Sequence, residues 1–519
     1  MTAAPAPADV AATADFDHAS HGRAARRATR ATLLGRAALT LVAVGAVPVL
    51  ARLVPPDAFG LLAMGTVLTA LAASINDFNL PTAVIQAPRF GAASRRRLTR
   101  WHGRHNLRVT GLLLLSTPVL VLAFGEPVLW GLVPCLALGT WAQGRAAIAT
   151  GVLRRRLWFG RLLGWQVVAQ AVAAGAAITL AFRGFELTAL AVQLILGQVL
   201  TAIGLCLLAR SGPQERIVDT AASTEHRETE TEADVTLRKL GGHLTWAKAV
   251  RLLARRVDQI LVGSLLGPAA LGLYQQAYKW AWFPQKQLTG PLAMVNVADL
   301  SRVREHPEAY RRRTAAAVGK VYGLLLPTLC GLALEADRAV RVLLGEQWAA
   351  AADVFRVLLV FVACYTPLQV LKQVYGTEGR GAAFLRWSAV EAGVLVLAAG
   401  LGAGAGVLIS RGAMANPLTV LALAMGCGAA LLAYVGTRRC VRGSVLETRH
   451  LLGPALPPLL ACLPAAAATW AAVPGFDPSE TATLALTRAA TAAAVFLPTY
   501  GLSWWAIRGL RRHTVEAAV

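Results

Sequence analysis

Ten polar and charged side chains crowd two neighbouring apolar stretches of this sequence in a pattern suited to holding an anion. Lys248, Arg251, Arg255, Arg256, Asp258 and Gln259 fall within the first stretch, and Gln275, Lys279, Trp282 and Lys286 within the second. At roughly 100° per residue, positions 248, 251, 255, 258 and 259 share one arc of about 100°, with Arg256 flanking it. Positions 275, 279, 282 and 286 follow an i, i+4, i+7, i+11 spacing and share a face of their own. Guanidinium groups grip phosphate oxygens as bidentate forks, an ammonium supplies a mobile point charge, and an indole face suits a sugar ring. The chemistry on offer is binding. Covalent chemistry finds little support: Glu335 and Asp337 are too generic to be a catalytic pair, and no nucleotide-binding P-loop occurs. The cysteines at 135, 206, 330, 364, 427, 440 and 462 show neither metal-ligand spacing nor a disulfide framework. No catalytic residue, metal or cofactor is expected.

A cation near the middle of a bilayer costs about 3 kcal/mol on insertion scales, so four on one helix cannot face lipid. Their common face must line a wet cavity. Counting back from Gly267 at 1.5 Å per residue puts Asp258 about 13 Å and Lys279 about 16 Å from the same helix end. Two opposite charges at one depth on adjacent helices predict a direct ion pair or a shared water, with Arg255 as the competing partner of Asp258 one turn below. Glu391 also lies deep in an apolar stretch, and with Asp258 it is the candidate for ion coupling. Arg145, Arg356 and Arg488 are lesser intramembrane candidates.

The elements that must position these residues are transmembrane helices. The chain has 519 residues, 56% of them hydrophobic and 15% charged, more apolar surface than soluble cores of ordinary size can hide. Fourteen stretches of about 20 apolar residues recur, each long enough to cross a hydrocarbon core. The net charge of +23 does not signal nucleic-acid binding, because Arg and Lys cluster in every second connection. That alternation predicts a multi-pass protein of the cytoplasmic membrane with both termini and all the basic connections in the cytoplasm.

The expected organisation is all-α and polytopic. Residues 1–30 form a cytoplasmic tail, 31–210 a first lobe of six spans, and 211–240 an acidic cytoplasmic linker. Residues 241–440 form a second six-helix lobe, 441–508 two C-terminal spans, and 509–519 a second tail. The lobes are pseudo-repeats at an offset of 212 residues. Leu53-Val-Pro-Pro56-Asp-Ala58-Phe-Gly60-Leu61 aligns with Leu265-Leu-Gly-Pro268-Ala-Ala270-Leu-Gly272-Leu273. Both lobes enter from the same side, so the repeat is parallel, and two such bundles enclose a central cavity suited to alternating access.

Three blocks carry a resemblance to a known family. They are Ala51 to Leu61 followed by Asp77-Phe-Asn-Leu80-Pro-Thr-Ala-Val-Ile85-Gln86, then Arg256-Val-Asp258-Gln259 through Tyr274-Gln-Gln-Ala-Tyr278, then Leu343-Leu-Gly345-Glu346-Gln-Trp348. In order and spacing they resemble the polysaccharide flippase branch (Wzx, teichuronic-acid and lipopolysaccharide exporter type) of the multidrug/oligosaccharidyl-lipid/polysaccharide exporter superfamily. The resemblance covers roughly 30 to 440. It implies a fourteen-helix exporter that moves undecaprenyl-diphosphate-linked oligosaccharide to the outer leaflet for cell-surface polysaccharide biosynthesis. Lipid-linked oligosaccharide and membrane lipids are the implied partners, beside a polysaccharide polymerase and glycosyltransferases. Asp77-Phe-Asn-Leu80 departs from the family's usual Asp-Leu-Gly-Leu, which leaves the role of Asp77 open. Two alternatives stand against this reading. An ion-coupled drug or metabolite antiporter of the same superfamily should have an acidic cavity, and a membrane polysaccharide polymerase or ligase should carry a large extracytoplasmic loop with carboxylates or His.

Overall fold

Proline and glycine punctuate the chain where one helix gives way to the next. The computed structural model describes residues 18–78, 80–86, 92–211, 252–253, 256–410, 416–477 and 479–516. In chain order its helices are α1 (His18–Leu53), α2 (Pro56–Asp77), α3 (Leu80–Gln86), α4 (Ala92–Leu115), α5 (Thr117–Phe124) and α6 (Leu129–Arg155). Next come α7 (Phe159–Phe182), α8 (Glu186–Arg210), α9 (Val257–Ala281), α10 (Phe283–Arg302), α11 (Pro307–Leu334) and α12 (Ala336–Leu344). The series ends with α13 (Ala351–Thr377), α14 (Gly381–Ser410), α15 (Pro417–Val441), α16 (Thr448–Leu452), α17 (Leu456–Ala472) and α18 (Ala482–Glu516). No strand occurs among the described residues.

Among those residues, 11 helices are long and apolar enough to cross a membrane. The fourteen predicted stretches differ from this figure for identifiable reasons. Val257–Gly290 reads as one candidate span, although Gly267 (φ 81°) breaks it into two helices. A glycine tolerates that left-handed φ, and Pro268 has no amide to continue the ladder. The helices at the fourth and fourteenth stretches, α6 and α18, are long enough but diluted by Gly, Thr and polar residues. The linker expected at 211–240 lies, apart from its first residue, outside the described residues.

Leucines and tryptophans on the outer surface include Leu122 at 85% exposure, Trp470 at 83% and Trp505 at 78%. Such large exposed apolar side chains fit contact with lipid. Inside, one hydrophobic cluster joins α1 and α2 (Leu50, Met64) to α9 and α13 (Leu271, Tyr274, Phe355, Leu358). The two halves of the repeat meet within it. Gly60 of α2 lies against the carbonyl of Pro268, and Gly272 of α9 lies against the carbonyl of Pro56, each with no space for a Cβ.

That crossing closes one end of the molecule. Trp348, fully buried, donates its indole N–H to the Ala51 carbonyl at 2.7 Å, and its ring meets Phe59 edge-on at 5.2 Å. Arg52 donates to the Val342 carbonyl at 2.7 Å, and Gln347 to that of Val54 at 3.2 Å. The block Leu343 to Trp348 is therefore a latch on the end of α1. Beside it, buried Arg338 binds Glu335 at 2.7 Å, Glu480 at 3.2 Å and the Pro474 carbonyl at 2.7 Å, tying α12 to the turn between α17 and α18.

Candidate functional site

Below the closed end lies a cavity between α1–α8 and α9–α13. It has two adjoining regions of 980 Å³ and 640 Å³ that share Val47, Gln193, Leu252 and Lys279. Cationic side chains enter from both sides. Arg256 lies just before α9, Lys279 on α9 and Lys286 on α10, while Arg154 faces them from the end of α6. Lys279 and Lys286 are exposed to the cavity. Asp77 lines the same space and is the one carboxylate among its described lining residues. A concave surface of this sign suits a multiply charged anion.

The sequence-predicted residues divide into three sets. Arg256, Gln259, Gln275, Lys279, Trp282 and Lys286 line the cavity. Trp282 presents little of itself, being buried against Phe361 and Tyr365. Lys248, Arg251 and Arg255 lie outside the described residues.

Asp258 needs a correction. It does not face the main cavity but a small void walled by Tyr278, Phe361, Tyr365 and Met425. Its carboxylate accepts from the Tyr274 hydroxyl at 2.8 Å and from the Gln259 amide at 2.8 Å. The expected ion pair with Lys279 is not among its contacts with the described residues, because Lys279 points the other way, into the cavity. The physical reason is helix phase. Gln259 meets the cavity, and at roughly 100° per residue position 258 is turned away from it by about a right angle.

Glu391 is buried in α14, where one oxygen accepts from the Tyr365 hydroxyl and lies 3.8 Å from the Lys372 ammonium. Its other oxygen has no hydrogen-bond partner among the described residues. Tyr365 thus bonds Glu391 and lines the same small void as Asp258. Of the lesser candidates, Arg356 pairs with Asp337 and Asp353, and Arg488 with Glu480.

Sequence reasoning missed the wall opposite. α6, α7 and α8 bring Gln143, Gln166, Gln170, Gln193 and Gln198 to the cavity, with Ser74, Thr150 and Thr201 between them. The available signal was the recurrence of glutamine inside stretches otherwise made of Ala, Val and Leu.

The chain is similar to known transport proteins. It is 23% identical over 370 residues to the succinoglycan biosynthesis transport protein ExoT of Rhizobium meliloti (strain 1021), covering 70% of this chain and 71% of that one. It is 22% identical over 320 residues to the lipopolysaccharide biosynthesis protein WzxC of Escherichia coli (strain K12), covering 60% and 61%. In fold it is similar to the lipid II flippase MurJ in an inward closed conformation, with a TM-score of 0.66 at 11% identity over 92% of this chain and 99% of that one. An inward-facing multidrug resistance MATE family transporter of the MOP superfamily gives a TM-score of 0.58 at 14% identity, covering 76% and 92%. Residues 49–353 match the family model described as polysaccharide biosynthesis protein, and on that match the chain belongs to the polysaccharide biosynthesis protein family.

Proposed function

We propose that this protein is a flippase that carries undecaprenyl-diphosphate-linked oligosaccharide across the cytoplasmic membrane by alternating access, for cell-surface polysaccharide biosynthesis. The observation that carries the reading is the cavity between the two helix groups, closed at the Gly60–Gly272 crossing and lined by Arg256, Lys279 and Lys286. A diphosphate leaving the headgroup layer must exchange water for other charges, since an unpaired ion in low dielectric is prohibitively costly. These three cations offer that exchange while the prenyl tail stays in lipid. The same charges disfavour the antiporter of organic cations.

In this reading the closed end faces outward, and the Arg-rich connections and both termini face the cytoplasm. The glycan crosses unchanged, so the protein works between glycosyltransferases that build it and a polymerase that uses it. Ion coupling falls to Glu391 and Asp258, which sit behind the cavity wall rather than in it.

The test is reconstitution. Purified protein in liposomes should move a fluorescent undecaprenyl-diphosphate-linked glycan between leaflets, and Lys279→Met with Arg256→Gln should slow this at least about tenfold without loss of folded protein. Translocation at the rate of protein-free liposomes would refute the proposal.

A further inference from the structure

The cations account for the diphosphate, but among the described lining residues they are a minority of the polar groups. Ten of the fifteen glutamines in the chain line it, from both helix groups. Two of them, Gln276 and Gln285, are 4% and 2% exposed, and both line the region around Arg256 and Lys279. The Gln276 side-chain oxygen and both polar atoms of the Gln285 amide have no hydrogen-bond partner among the described residues. Across the cavity, the hydroxyl groups of Ser74 and Thr201 are buried and unpartnered in the same way.

Buried polar atoms in a folded protein are almost always satisfied, so a set of orphans on residues that line one cavity marks the partner they await. A primary amide donates twice and accepts through two lone pairs, which matches adjacent hydroxyl groups on a sugar ring. It does so without charge, whatever the pH. Half-buried Tyr278 lines the same region and brings an aromatic side chain suited to the apolar face of such a ring.

Resting on the flippase reading above, we infer that the glutamine wall is a second subsite within the cavity that binds the glycan itself, and that its ligand is an uncharged, hydroxyl-rich oligosaccharide. The cations hold the diphosphate and the amides hold the sugars. An acidic sugar would bring a further negative charge that competes with the diphosphate for Arg154, Arg256, Lys279 and Lys286.

The experiment compares three probes on the full chain in lipid nanodiscs: undecaprenyl diphosphate alone, the same lipid bearing a neutral trihexose, and the same lipid bearing a trisaccharide that ends in a uronate. Wild type should bind the trihexose lipid about tenfold more tightly than the bare lipid. Gln276→Leu with Gln285→Leu should remove that increment while binding of the bare lipid changes less than about twofold. If this pair fails to fold, Gln170→Leu with Gln193→Leu in the opposite wall makes the same test. Equal binding of bare and trihexose lipids, an increment that survives both glutamine pairs, or a preference for the uronate overturns the inference and leaves the flippase reading standing. Wild type that binds none of the three lipids overturns the flippase reading, and this inference with it.

Discussion

Gly60 and Pro268 occupy one point of the closed end: the α-carbon of Gly60 rests on the Pro268 carbonyl, and 212 residues along from Gly60, Gly272 rests on the carbonyl of Pro56. The contact is reciprocal, as required where two like elements cross at a two-fold axis. It turns the sequence repeat into a seam between helix groups.

The seam predicts a gate. Adding a methyl at Gly60 or Gly272 forces the α2 and α9 backbones apart, at a cost of about 1–3 kcal/mol for overpacking. Conformations of a transporter differ by only a few kcal/mol, so this suffices to shift the population. Gly60→Ala and Gly272→Ala should each raise labelling of a cysteine placed at Gln193 by an impermeant maleimide added outside. Trp348→Phe, which deletes the hydrogen bond to Ala51, should act in the same direction more weakly. Labelling unchanged in all three variants would mean that this end is not the gate.

A second prediction concerns the turn after α17. Arg338 and Arg488 hold the Glu480 carboxyl far below the ordinary carboxylate range of 4.5, at about 2. A depressed folded-state value stabilises the fold above the unfolded value, and that contribution fades as pH falls from about 4.5 towards 2. The melting temperature of wild type should therefore drop between pH 5 and 3 by more than that of Glu480→Gln. At neutral pH Glu480→Gln should lose about 3 kcal/mol, because it strands much of the charge on buried Arg338. Parallel melting curves for the two proteins across that pH window would rule the network out as the clamp.

The limits of the sequence show at particular residues. The repeat was legible because Pro and Gly recur at a fixed offset, and breakers leave marks that do not depend on tertiary context, but the offset does not say that the two copies meet. The cavity-facing role of Lys279 and Lys286 was legible because an ammonium in an apolar stretch has few places to go. The phase of the preceding helix was not. Polar residues occupy both sides of it, and periodicity cannot say whether Arg256 and Gln259 or Asp258 meets the cavity. Only the partner does, and Tyr274, sixteen residues further along, is brought to Asp258 by the turn at Gly267. The glutamine wall escaped because an amide carries no charge and so raises no alarm inside a hydrophobic run.

Glu391 supplies a third prediction. Its carboxylate is shared between Tyr365 and Lys372, with one oxygen unpartnered among the described residues. If protons or cations exchange there during transport, an imposed gradient should accelerate glycan movement in wild type and have no effect in Glu391→Gln. Lys372→Met alone should destabilise the protein by about 3 kcal/mol, since it leaves a buried carboxylate without its cation, and adding Glu391→Gln should restore most of that loss. A gradient response that persists in Glu391→Gln would remove this residue from the coupling path.

The last prediction separates the observed partner of Asp258 from the expected one. The carboxylate accepts the Tyr274 hydroxyl at 2.8 Å in a site where both residues are buried, whereas Lys279 opens into the cavity. Tyr274→Phe leaves a buried carboxylate short of a donor, and Asp258→Asn leaves the hydroxyl facing a neutral amide. Each should cost about 1–3 kcal/mol as an unsatisfied buried group. Because the two changes damage one bond, their combination should cost less than the sum by about 1 kcal/mol or more. Asp258→Asn and Lys279→Met share no contact, so their losses of stability should add. Their functional effects should also part: Lys279→Met weakens binding of a lipid diphosphate, while Asp258→Asn leaves that binding nearly intact. A double-mutant cycle on thermal stability, run beside a binding titration with undecaprenyl diphosphate, measures all of these together. Coupling between Asp258 and Lys279 as large as that between Asp258 and Tyr274 would show that the aspartate does turn towards the cavity in solution, and would restore it to the wall that meets the cargo.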